Sequence, residues 1–272
     1  MRKQRALLCL LLILCFTVVS ISEIEIGKAQ EPLNLTITPD GSVEPDTDLL
    51  ERNGTTYMFK GDILGSIMVQ TDNITINGAG FTMSQGGITL AGPDLSHRDC
   101  RYLMVKNVMF CNSSIYTVGA SNNTFVNNYF ENVRIQIQAF ANITGNLIKH
   151  NTFKDSGIFV DYNRGGRDVI TENNFFNGWI SVGLSVSPIV EKNYWSDYNG
   201  TDTNEDGIGD TPHISQYKLD EDVLDNSPLM TPLDIEIPEF PSWMPILIGL
   251  VAVVTVAIIY RRKLQNPERW RK

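Results

Sequence analysis

Oxygen-bearing side chains on alternate residues mark the stretch Asp202-Thr203-Asn204-Glu205-Asp206-Gly207-Ile208-Gly209-Asp210. Asp202, Asn204, Asp206 and Asp210 take positions 1, 3, 5 and 9 of a loop, and Ile208 offers a backbone carbonyl between the last two. Gly207 permits the sharp turn that brings such ligands to one point, so the pattern matches the first part of an EF-hand-like calcium loop. Ca2+ is the cofactor this stretch implies. The match breaks at position 12, where His213 stands in place of a bidentate Glu; Asp220, Glu221, Asp222 or Asp225 would have to substitute. The alternative is a solvated acidic cap whose Asp and Gly residues only make turns. An ion here would order the cap that shields the last strand edge.

A second cluster, Asp161-Tyr162-Asn163-Arg164-Gly165-Gly166-Arg167-Asp168, carries carboxylates, guanidinium groups and an aromatic ring suited to sugar hydroxyls and stacking. Asp161, Arg164, Arg167 and Asp168 are the candidates for catalysis on a polysaccharide. A glycoside hydrolase needs two carboxylates about 5–10 Å apart across the scissile bond. Asp161 and Asp168 lie in one loop, and no Asp pair recurs opposite them, so an exposed charged turn is the favoured reading. Copper requires imidazole and sulfur. His97, His150 and His213 are scattered, and of the nearby Met104, Met109 and Cys111, Met109 reads as core; copper is not expected. Cys100 and Cys111 are the two cysteines left after export, and an oxidising exterior permits a disulfide between them.

What positions these groups is a repeat. One or two Asn followed by an aromatic recur in Asn107-Val-Met-Phe110, Asn127-Asn128-Tyr129-Phe130, Asn151-Thr152-Phe153, Asn173-Asn174-Phe175-Phe176 and Asn193-Tyr194-Trp195. Closing aromatics fall at 110, 130, 153, 176 and 195, and Ile115, Ile135, Ile158 and Ile180 follow four or five residues later. Around each Ile the sequence alternates with period two, as in Arg134-Ile135-Gln136-Ile137-Gln138, which means strands with one buried face. Short strands repeating every ~22 residues predict an all-β chain, a right-handed parallel β-helix of about six coils. The Asn amides would bond one another in a ladder, with the aromatics stacked beside it. The coils themselves are then chemically silent, and function belongs where the repeat is interrupted.

The ends predict export. Residues 1–29 form a basic start and an apolar run with cleavage near Ala29, the pattern of a signal peptide; an uncleaved anchor is the alternative. Residues 30–54 are a lead-in cap, 55–200 the β-helix, 201–232 an acidic cap and 233–242 a Pro-rich linker. Residues 243–260 are an apolar run edged by Trp243 and Tyr260, and 261–272 a basic tail, which predicts one membrane span with a cytoplasmic C-terminus. Residues 6–260 carry 13 basic residues against 30 acidic ones, a net −17 that disfavours nucleic acid as a partner. Sequons begin at Asn34, Asn53, Asn73, Asn112, Asn122, Asn142 and Asn199, and ladder burial is expected to leave only some of them usable.

Asp72-Asn73-Ile74-Thr75-Ile76-Asn77-Gly78-Ala79-Gly80-Phe81 resembles the first coil of the NosD-like β-helix proteins. Asn193-Tyr194-Trp195-Ser196-Asp197-Tyr198 with Asp206-Gly207-Ile208-Gly209-Asp210-Thr211-Pro212 resembles their closing segment. Pro238-Glu239-Phe240-Pro241, the apolar run and Arg261-Arg262-Lys263 look like the sorting tail of archaeal surface proteins, which a sortase-like enzyme exchanges for a lipid; a permanent anchor is the other possibility. The resemblance implies a membrane-anchored, non-catalytic cell-surface glycoprotein that serves envelope structure or binds glycans or other surface partners. A carbohydrate-active enzyme and a NosD-like metal-delivery accessory are the alternatives.

Overall fold

The computed structural model describes residues 31–90, 100–138, 145–161, 168–183, 187–215 and 223–236. The expected signal peptide, membrane span and basic tail lie outside the described residues. So do His97, Asn142, Arg164, Arg167, Asp220, Glu221 and Asp222. The described residues from Leu33 on form one compact unit. It is all-β among the described residues: a parallel β-solenoid of about five turns where about six coils were expected.

Each full turn lays three strands on three faces. The first face stacks Thr56–Phe59, Thr75–Asn77, Met104–Lys106, Thr124–Val126, Leu147–Lys149, Val169–Thr171 and Ile189–Glu191, all parallel and in register. The second stacks Met109–Cys111, Tyr129–Glu131, Thr152–Lys154, Asn174–Phe176 and Tyr194–Trp195. The third stacks Leu33–Ile37, Ile63–Val69, Ser114–Val118, Arg134–Gln138, Gly157–Asp161 and Trp179–Val182. Strand Thr82–Leu90 serves both the second and third faces, pairing Thr82–Ser84 with Met109–Cys111 and Gly87–Leu90 with Ser114–Thr117. Gly87 sits at that bend with φ +133°, against the Ser114 carbonyl, where a side chain has no room. Leu33–Ile37, in the expected lead-in, pairs parallel with Ile63–Val69 on the third face and antiparallel with Val43–Glu44 on its other side.

Inside, the repeat becomes columns. Ile88, Ile115, Ile135, Ile158 and Ile180 are in register and fully buried. Phe110, Phe130, Phe153, Phe175 and Trp195 form a continuous ring stack with centroids 4.3–5.1 Å apart and planes within 18°. Phe175, not Phe176, is the stacked ring; Phe176 faces outward, half-buried. With that correction each column Ile follows its ring by the same five residues.

The two Asn of the repeated word have different employment. Asn107 and Asn127 occupy the left-handed region at a corner, with φ near 55°. The ladder is built from Asn128, Asn151, Asn173 and Asn193, all fully buried. Asn128 donates its backbone N–H and its Nδ2 to Asn151 Oδ1 at 2.9 and 3.0 Å, and Nδ2 also reaches the Val105 carbonyl at 2.9 Å. Asn151 treats Asn173 in the same way, and Asn173 treats Asn193. Every rung therefore donates toward the C-terminal end, so the last partner must accept and need not donate. That partner is Asp225, brought in by the cap: its Oδ2 accepts Asn193 N, Asn193 Nδ2 and Trp195 Nε1, and its Oδ1 accepts Lys192 N and Ser227 N. A second ladder, absent from the sequence reading, runs Asn123, Asn146, Asp168, and again a carboxylate ends it. In the next coil the register gives Pro188, which brings neither an N–H nor a polar side chain.

The cap is fixed by more than Asp225. His213–Ile214 pairs antiparallel with Leu224–Asp225, and His213 extends the ring stack, 4.3 Å from Trp195. Leu233 exchanges two backbone hydrogen bonds with the Asn174 side chain on the second face.

Asn151→Ala removes an acceptor shared by two buried donors, and each such orphan costs about 1–3 kcal/mol. Urea unfolding of this variant is expected to show a loss of roughly 2–5 kcal/mol. A loss no larger than that of an exposed Asn such as Asn132→Ala would show that the ladder is not a principal support.

Candidate functional site

Because the inner side is filled by ladders and rings, only outward side chains can meet a ligand. On the third face they fall into rows set by strand register. One row is Ser114, Arg134, Gly157, Trp179; the next is Tyr116, Gln136, Phe159, Ser181; a third holds Val118, Gln138 and Asp161. The Arg134 guanidinium lies 4.6 Å over the Phe159 ring and 6.0 Å from that of Trp179. Trp179 lies flat because residue 157 is Gly, whose missing Cβ leaves the ring room against the strand. Tyr116 Oη donates to Gln138 Oε1 at 2.6 Å. A Cβ on Gly183 would stand 2.6 Å from Asp161 Oδ1 and 3.5 Å from Phe159 Cζ, so the carboxylate also folds over a glycine. Ser181 Oγ, buried in the middle row, has no hydrogen-bond partner.

The face thus joins aromatic surface, one stacked cation, amides and a carboxylate on rigid strands. Arg stacked on rings keeps its N–H groups directed sideways, available to an oxyanion or to hydroxyls. Of the expected catalytic carboxylates, Asp161 is half-buried at the end of its outward row, whereas Asp168 is fully buried in the second ladder. An outward Asp161 and an inward Asp168 do not form the pair that glycoside hydrolysis needs. Asp168, read from sequence as part of an exposed loop, is a structural residue because its carboxylate is the ladder's final acceptor.

The acidic loop is closed on itself. Asp202 accepts the N–H groups of Asp206 and Gly207 at 3.1 and 2.8 Å, and Asp206 Oδ1 accepts that of Ile208 at 2.9 Å. Asn204 Nδ2 donates to Asp206 Oδ2 at 3.0 Å. Asp210 accepts the Thr203 hydroxyl and N–H and the Thr201 hydroxyl, and the Thr203 bonds hold its carboxyl below the usual range. Among the described residues no three His, Cys, Asp or Glu side chains converge in a way that could hold a metal ion. His213 at position 12 turns into the stack, with Nε2 3.1 Å from Asp197 Oδ1 and Nδ1 buried without a partner. His150 pairs with Glu172 at 2.7 Å. Met104 faces outward on the first face, while Met109 and Cys111 face outward on the second, so the sulfur atoms named for copper are spread over two faces; Met109 is half-buried rather than core.

Cys100 and Cys111 face opposite ways. Cys100 is buried, its Sγ 3.1 Å from the Val69 carbonyl, and Cys111 lies on the outer side of its strand. Burial, then the Glu131 and Asp62 carboxylates, raise the Cys111 thiol pKa, so it is a poor nucleophile. The six described sequon residues, Asn34, Asn53, Asn73, Asn112, Asn122 and Asn199, are all exposed, and no ladder Asn is the acceptor of a sequon, although the ladder's Asn123 is the middle residue of the one that begins at Asn122. The expected conflict between ladder and glycan does not arise at these six.

Tyr116, Arg134, Phe159 and Trp179 were missed in the sequence. Their signal was there: each is the immediate neighbour of a column Ile, and alternation sends such neighbours outward.

Set against protein-family models, curated proteins and solved structures, the chain finds no match. Of the resemblance drawn from the sequence, the structure carries the parallel β-helix.

Burial lowers the pKa of His213 below its ordinary 6.5, and the Asp197 carboxylate opposes this only in part. The unfolded chain then binds the proton more tightly than the folded one, so the contribution of His213 is full above pH 6.5 and is lost as the pH falls. Between about pH 7 and 5, thermal melting of the wild type should fall more steeply than that of His213→Phe, which keeps the ring on Trp195. Parallel pH profiles would assign the acid sensitivity elsewhere.

Proposed function

We propose that this is an exported, membrane-anchored cell-surface protein whose solenoid binds a glycan and does not cleave it. The observation that carries the reading is the outward cluster of Arg134 on Phe159 and Trp179, flanked by Tyr116, Gln138 and Asp161. Rings offer flat apolar area to the C–H faces of sugars, while the guanidinium and amides meet hydroxyls and carboxylates. The strands present successive contacts at ~4.8 Å, close to the advance of one sugar along an extended chain. Export, anchoring and glycosylation of the exposed sequons are part of this reading and rest on the sequence ends and on the six exposed asparagines. Nucleic acid is not a partner, given the strongly acidic ectodomain.

Binding is measured on an array of neutral and acidic glycans and then by calorimetry on the best ligand. Trp179→Ala and Arg134→Ala should each weaken it by about tenfold, equivalent to about 1.4 kcal/mol, with unchanged melting. Absence of binding to any glycan would sink the proposal. Release of reducing or unsaturated ends, abolished by Asp161→Ala, would replace it by a carbohydrate-active enzyme.

Calcium is the cofactor of the proposal. Asp202, Asn204, Asp206, the Ile208 carbonyl and Asp210 would hold the ion, which would exchange the loop's internal hydrogen bonds for coordination and stiffen the cap. EDTA should then lower the melting temperature of the wild type and leave Asp206→Ala unchanged. Identical melting with and without chelator removes calcium from the protein.

A further inference from the structure

The first face carries a different surface. Register places Met104, Thr124, Leu147, Val169 and Ile189 in one outward row across five strands, a stripe ~19 Å long at ~4.8 Å per strand. Met104 and Ile189, which bound the stripe, are exposed at 37% and 38%, and beyond Met104 the row continues as the polar residues Thr75 and Thr56. Beside it runs the row Lys106, Val126, Lys149, Thr171, Glu191. The charge changes sign along this second row: Lys106 stands at one end and Glu191 at the other, four strands apart. Lys149 in the middle is neutralised by Glu172, 2.9 Å away. The sequon residues Asn73 and Asn122 precede the strands of this face and are not on them.

These rows are complementary to themselves. A twofold axis in the plane of the face, parallel to strand Leu147–Lys149, turns the strand order end for end and leaves the position along each strand unchanged. It sets Met104 against Ile189 of a second copy, Thr124 against Val169, Leu147 against Leu147 and Lys106 against Glu191. The mirrored contacts complete the set, as an isologous interface requires. Each neutralised Lys149 meets only its own copy. We propose that the first face is the contact surface of a homodimer, two solenoids packed antiparallel through the Met104–Ile189 stripe and registered by two Lys106–Glu191 pairs. A face of this size falls short of the roughly 1,600 Å² of a standard interface, and the acidic ectodomain repels itself, so the dimer exchanges with monomer.

The full-length protein, solubilised in a mild detergent at low salt, is followed by sedimentation velocity up to on the order of 100 μM, the concentration range that a weak dimer requires. The wild type should dimerise. Lys106→Glu and Glu191→Lys should each raise the dimer dissociation constant about tenfold or more, because each sets like charges opposite one another twice. The double variant Lys106→Glu/Glu191→Lys should recover wild-type dimerisation, since the swapped charges again meet. Leu147→Glu, at the dyad, should give a monomer with unchanged melting. A monomer at every concentration overturns the proposal. So does a dimer indifferent to these changes, which would be held by the membrane segment or another surface, and so does a double variant no better than the single ones, which would refute the register.

Discussion

The structure depends on a hydrogen-bond chain that has a direction. An Asn in the stack gives two hydrogens forward, its backbone N–H and one of its amide hydrogens, to the oxygen of the next coil's Asn, and the other amide hydrogen back, to the carbonyl of the coil before. Donors are thus left looking C-terminally at the end of any stack, in the driest part of the molecule. Another Asn there would only move the problem one coil on. A carboxylate ends it, because ionised Asp accepts at both oxygens and donates nothing. Both ladders stop this way, one at Asp168 and one at Asp225. Buried carboxylates are costly unless fully hydrogen-bonded, and Asp225 receives five donors. The cap exists to deliver that acceptor, and its His213 ring closes the aromatic stack at the same place.

This direction explains the division between silent and available residues. Positions facing inward are bound to the next coil, and one change there propagates to two neighbours. Outward positions obey no such rule, since successive coils need only avoid clashes and unfavourable charge. The three faces have accordingly diverged. The third carries rings and a stacked guanidinium, the first an apolar row beside charges of changing sign, and the second lays down the C-terminal segment through Asn174 and Leu233.

The inner architecture was legible because its chemistry repeats in one dimension. Asn, ring and Ile recur at nearly fixed offsets, and alternation gives the inward side. Two things escaped. The ring in register at residues 175 and 176 could not be chosen from a pair of adjacent phenylalanines; the constant five-residue step to Ile decides it only once the column is seen. Asp168 and Asp225 looked like surface acids because nothing local distinguishes a carboxylate that ends a ladder from one in a turn. Their partners are 22 and 32 residues away. The outward site was hidden for another reason: Arg134, Phe159 and Trp179 do not interrupt the repeat but lie within it, one residue from the column Ile.

The arrangement of faces has a consequence for binding strength. In the proposed dimer the first faces are covered and both third faces stay accessible, each on its own copy and in antiparallel order. A glycan site of modest affinity, displayed twice on a rigid body, gains by effective concentration when the ligand is a polymer or a dense surface layer. Rigidity matters here, since parallel strands bonded on both edges lose little freedom when a ligand binds. The same reasoning fits a weak dimer interface: with the proposed membrane anchor, confinement to two dimensions would raise local concentration, and a contact too small to persist in dilute solution would be sufficient. The inner ladder supplies the stiffness and the outer rows supply the contacts, and the two sets share no residue.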